Sequence, residues 1–145
     1  MWAYEYKLGR IFVGRGEHDA DLLDEITGFC QKNGFAAAEV SAIGAIKTLE
    51  LSYYDQEKRV YCPVEGLQAN APFEIAALSG NISLKDGAAF AHIHIVAADK
   101  NGISFAGHLA PGTKIFAAEI AIRELKGQKL ERALDAETGL SLWVK

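Results

Sequence analysis

The 145 residues are half hydrophobic and carry fifteen basic against nineteen acidic side chains, a net charge of −4. This is the size of one domain, residues 1–145, with enough apolar material for a substantial core and little for a second. The acidic balance argues against a strong sequence-independent grip on DNA, which rests on neutralising phosphates with Lys and Arg, and no apolar run approaches the roughly 20 residues that would cross a membrane.

In chain order, Trp2 to Val13 is rich in aromatic and branched residues and reads as a first strand, broken at Gly9. Gly14-Arg15-Gly16 before a helix is a weak anion cradle, opposed by the neighbouring Glu17, Asp19 and Asp21. With Asp19 or Asp21 as cap, Leu22, Leu23, Ile26, Phe29 and Cys30 recur at helical spacing until Asn33-Gly34 stops the pattern. From Ala36 to Asp55 the pattern is that of strand, with Gly44 as a bend or bulge. Asp55 to Lys58 is a turn into Arg59–Val64, a short hairpin. Pro72 to Leu84 reads as another strand, ended by the turn Lys85-Asp86-Gly87. After Glu124 the chain turns polar; Leu130, Ala133 and Leu134 allow a short helix, and Leu140 to Val144 suits a last strand. The sum is an α+β architecture, a mostly antiparallel sheet with one long helix packed on it. Cys30 and Cys62 have no CxxC partner and no secretory leader is read, so reduced thiols in the cytoplasm are expected.

Three of the four histidines, His92, His94 and His108, fall on two consecutive predicted strands. Residues two apart on a strand share a face, with Cα atoms roughly 7 Å apart, so His92 and His94 point the same way. The turn between the strands decides whether His108 joins them. A three-residue loop, Lys100-Asn101-Gly102, pairs Asp99 with Ile103 and therefore His94 with His108. A two-residue Asn-Gly turn shifts the count by one and sends His108 to the other side. The first register is preferred because it also lines up Ile93, Ile95 and Ala97 with Ile103, Phe105 and Leu109.

Ala110-Pro111-Gly112-Thr113 is a type II turn signature. A hairpin across it puts Phe116, Ala118, Ile120 and Ile122 on the apolar face and Glu119 on the histidine face, near Ser104 and roughly 13 Å along from His108. At that distance Glu119 could act as a general base only for the site of another subunit, and it reads as a buried or interfacial polar group. No catalytic residue is assigned. His18 reads as a solvated loop residue. Three histidines suit a zinc ion with an open fourth position; surface or interface histidines making ordinary hydrogen bonds are the other reading.

The helix ending in Asn33-Gly34, Val40-Ser41-Ala42-Ile43-Gly44-Ala45, Leu51-Ser52-Tyr53-Tyr54-Asp55, Phe73-Glu74-Ile75, Leu78-Ser79-Gly80-Asn81-Ile82-Ser83, His92-Ile93-His94, Gly107-His108-Leu109 and Ala118-Glu119-Ile120 come in an order that resembles the PPC family. This is the "plants and prokaryotes conserved" domain, also called DUF296. The resemblance implies an α+β domain that assembles as a homotrimer. In plants the domain follows AT-hooks in nuclear DNA binders; stand-alone prokaryotic members are commonly described as predicted DNA-binding proteins. Some prokaryotic members look like metal proteins, with histidines at the positions matched by His92, His94 and His108. An AT-hook centres on Arg-Gly-Arg-Pro, and Gly14-Arg15-Gly16-Glu17 supplies neither the second arginine nor the proline. What the resemblance implies for this chain is a homotrimeric module for DNA or protein interaction that carries Zn2+. The alternative is a metal-dependent, hydrolase-like enzyme acting on a small molecule near the histidines.

Overall fold

Alternating apolar and polar residues become strand over most of the chain, and the computed structural model describes every residue from Met1 to Lys145. The elements are β1 (Lys7–Arg15), α1 (Leu22–Lys32), β2 (Ala38–Ile46), β3 (Leu51–Asp55), β4 (Val60–Pro63), β5 (Phe73–Lys85), β6 (Ala88–Ala98), β7 (Ser104–Leu109), β8 (Ile115–Lys126), β9 (Glu131–Leu134) and β10 (Ser141–Trp143). They form one ten-stranded sheet in the order β1-β8-β2-β5-β6-β7-β3-β4, to which β9 adds beside β5 and β10 beside β9. All ladders are antiparallel except β5–β9. The predicted α+β class, a mostly antiparallel sheet with one helix, is what the chain adopts.

The helix begins at Asp21, whose Oδ1 accepts from the backbone N–H groups of Leu23 and Asp24 at 3.0 and 3.1 Å. This satisfies donors that a helix start otherwise leaves bare. The other carboxylate oxygen accepts from Gly112 N–H at 2.6 Å, which ties the helix start to the turn after β7. Leu22, Ile26 and Cys30 form a buried stripe four residues apart, and they pack into one core with Val40, Leu78, Ile82, Ile93, Ile95 and Ile120. The helix spans 11 residues, so it is of ordinary length.

Directly opposed residues share a face of a sheet, and one row of pairs crosses it: Val13, Ala121, Ser41, Ser79, His94 and His108. The face opposite the helix therefore carries the histidines. The same face leaves Ile11, Val13 and Ile43 exposed at 54%, 77% and 56%.

Two expectations fail. First, β7 and β8 are not a hairpin: β7 pairs with β3, and β8 lies between β1 and β2. The turn forms, but Thr113 within it is wholly buried, its hydroxyl accepts from Glu50 N–H at 3.0 Å, and its carbonyl accepts from Leu22 N–H at 2.9 Å. These bonds steer the chain away from β7 and under the helix. Second, the segment allowed as a short helix is β9. Leu84 N–H donates to Leu130 O at 2.7 Å and β9 takes the free end of β5, so tertiary pairing overrides a weak local preference.

Candidate metal centre

The geometry of the site is set by a loop. Asp99 N–H donates to Ile103 O and Gly102 N–H to Asp99 O, each at 2.9 Å. The Asp99 carboxylate accepts from the N–H groups of Asn101 and Ile103 at 2.8 and 2.9 Å, and Gly102 takes φ 79°, a conformation that costs glycine nothing. This is the predicted three-residue loop. It sets Ala98 opposite Ser104, Val96 opposite Ala106 and His94 opposite His108.

All three imidazoles meet. Ring centroids are 5.2 Å apart for His92–His94, 5.2 Å for His92–His108 and 5.6 Å for His94–His108, and one ring nitrogen from each lies within 4.8 Å of the others. His94 is exposed, whereas His92 and His108 are half-buried. His108 stacks at 4.9 Å on Tyr61, which β4 brings to the edge of the cluster. Its Nδ1 is buried with no hydrogen-bond partner, and a bare buried polar atom is costly unless something outside the chain satisfies it. The residues present therefore fit a metal ion: one nitrogen from each ring converges, and His108 keeps a buried nitrogen that the chain leaves unpartnered.

Electrostatics agree. Burial, then the Arg132 guanidinium and the two other imidazoles, push His92 down to about 4. Burial, then His94 and Arg132, lower His108. Both are neutral near pH 7, the form that binds metal.

Beside the cluster opens a cleft of about 370 Å³ lined by Tyr61, Lys85, Phe90, His92, His108 and Arg132, among others. Arg132 was not singled out by the sequence. It is only 8% exposed, and it donates to Ser83 Oγ at 2.6 Å, Ser141 O at 2.9 Å and Asn81 Oδ1 at 3.0 Å. It becomes visible only when β9 pairs with β5; nothing in Leu130-Glu131-Arg132-Ala133 marks it.

The other candidates stay apart. Glu119 is exposed and sits opposite Arg15 and Ile43. Since β8 stands three strand steps from β6, roughly 14 Å at the usual spacing, Glu119 does not reach the histidines of its own chain. The hairpin that placed it near Ser104 does not exist, and its side chain is not buried. His18 is exposed, with Nδ1 2.8 Å from Phe116 O. The helix start next to Gly14-Arg15-Gly16 is satisfied by Asp21 and Thr113, so it cradles no anion.

A family model described as the Plants and Prokaryotes Conserved (PCC) domain matches residues 3–126. The chain is 40% identical to a metal-containing protein of Archaeoglobus fulgidus, with all of both chains covered and a TM-score of 0.92. It is 37% identical to a plant- and prokaryote-conserved protein of Pyrococcus horikoshii, covering 100% of this chain and 98% of that one at a TM-score of 0.88. A proposed DNA-binding protein of Bacteroides thetaiotaomicron shares the fold, at 22% identity, 96% coverage of each chain and a TM-score of 0.82. Among curated proteins, bifunctional protein GlmU of Synechococcus sp. strain JA-3-3Ab is 32% identical over 121 residues, 82% of this chain; the chain spans 18% of that relative's length. No helix is long and apolar enough to cross a membrane. On the match over residues 3–126, the chain belongs to the Plants and Prokaryotes Conserved (PCC) domain family, the family abbreviated PPC above.

Proposed function

We propose that His92, His94 and His108 hold one Zn2+ in a homotrimeric domain spanning residues 1–145. The observation that carries this reading is the convergence of one ring nitrogen from each of the three histidines within 4.8 Å, in a cluster whose His108 also holds a buried Nδ1 that nothing in the chain satisfies. An all-imidazole set favours zinc over the hard, oxygen-seeking cations. The 40% identity to a metal-containing archaeal protein supports a metal here. When bound, such an ion supplies a Lewis-acidic position open to water or a ligand. The chain's own part is to hold two of its three imidazoles neutral and to wall the open side with the cleft. None of the residues lining that cleft is a carboxylate, so a metal-dependent hydrolase would lack a local carboxylate base, and binding is the better-supported activity.

The trimer is supported by the exposed apolar side chains on the histidine face, Ile11, Val13 and Ile43, since large apolar side chains left bare on a sheet face favour a covering partner. A cytoplasmic setting is supported by two unpaired cysteines. DNA binding has behind it only a fold-level likeness, and the net charge of −4 works against it; a shift in a gel at low salt that weakens steeply as salt rises would restore it.

Cobalt(II) titrated into metal-free protein tests the site. Intense visible bands of a four-coordinate ion, saturating at one equivalent per chain, are expected. Only the weak spectrum of the hydrated ion would overturn the reading.

A further inference from the structure

Arg132 is a buried cation without an anion. Its three hydrogen bonds all run to neutral acceptors, Ser83 Oγ, Ser141 O and Asn81 Oδ1, and none of the chain's ion pairs includes it. The guanidinium lies 5.2 Å from the Phe90 ring centroid and 5.4 Å from that of Trp143. A guanidinium has five N–H donors, so two remain. Taking an unpaired charge out of water is expensive, and proteins place arginine where a carboxylate or phosphate will be gripped by two parallel bonds. The surroundings point the same way: Arg59 and Lys85 also line the cleft, with Lys85 Nζ 5.6 Å from the Phe90 ring. The cleft's volume, about 370 Å³, is that of a small-molecule site.

We propose that this cleft binds a small organic oxyanion, its carboxylate or phosphate held by Arg132 with Lys85 and Arg59 at the rim, and its far end turned to His92 and His108. The contact with Arg132 stands without any ion; only the second contact, at the histidines, rests on the metal reading above. Arg132 and the histidines then share one ligand, which gives a buried arginine and a metal centre on the same cleft a common purpose.

The test is calorimetric titration of metal-free and zinc-loaded protein, at low chloride, with inorganic phosphate and with oxalate. Saturable binding is expected in both forms and tighter in the loaded one. Arg132→Lys should weaken it at least about tenfold, since a bidentate charged contact is lost, and Lys85→Ala several-fold with metal content unchanged. His94→Ala should leave binding by the metal-free protein intact. If Arg132→Lys does not fold, the Lys85→Ala and Arg59→Ala pair decides. No binding at tens of millimolar, or binding that none of these basic residues affects, would overturn the proposal. Metal bound but no anion bound would sink this inference alone; anion bound but no metal would sink the metal reading alone.

Discussion

His94 and His108 stand directly opposite each other on β6 and β7, ring centroids 5.6 Å apart, and Nδ1 of His108 is a buried nitrogen with no partner in the chain. That nitrogen is a burden on the metal-free fold. His108→Leu, similar in bulk and without polar atoms, should therefore stabilise the metal-free protein by roughly 1 kcal/mol, the usual cost of an unmet buried donor or acceptor. It should also weaken metal binding. Urea unfolding in chelator, followed by metal titration, reads both, and a destabilised metal-free His108→Leu would mean that the nitrogen has a use within the chain.

Gly80 lies opposite Ile93, between the two histidines of β6. A methyl group there would stand 2.4 Å from His92 O and 2.8 Å from Ile93 Cα. Both are backbone atoms at the middle of the sheet and cannot swing aside. Gly80→Ala should cost about 1–3 kcal/mol, as overpacking that moves backbone does, and should spread β5 from β6 enough to weaken metal binding. Denaturant midpoints and metal affinity measured on the folded fraction check this.

The site was legible in the sequence because it is local. Five residues, Asp99 to Ile103, carry the turn chemistry, and the alternation on either side selects between two registers. The strand order was not legible, because it depends on where Thr113 and Asp21 find partners across the fold; the Pro-Gly turn is compatible with a hairpin and with the crossover that actually forms. Arg132 and Tyr61 escaped for the same reason. Each reaches the histidines through a pairing distant in sequence, β9 with β5 for Arg132 and β3 with β7 for Tyr61, which the local β3–β4 hairpin carries along. Gly9 and Gly44 were legible as breaks, and the ladders slip between Leu8 and Ile11 and between Ala42 and Gly44.

Acid sensitivity should centre on Glu124. Arg10 donates from Nε and Nη2 to its two oxygens at 2.8 and 2.9 Å, and this holds the carboxyl at about 2 instead of its ordinary 4.5. A carboxyl whose pKa falls on folding adds stability that is complete above the unfolded value and is lost as pH drops toward the folded one. The wild-type chain should thus exceed Glu124→Gln in stability at pH 7, and the gap should close between about pH 4.5 and 2. Midpoints of both chains across that range measure the gap; a gap independent of pH would remove the ion pair as its cause.

Elemental analysis of the untagged protein, wild type and His94→Ala, each checked for folding by circular dichroism, decides whether the three histidines hold zinc. The wild type should carry one zinc per chain and the folded variant almost none. Folded wild-type protein without stoichiometric metal, unable to acquire it from added zinc, would rule out a zinc site at His92, His94 and His108.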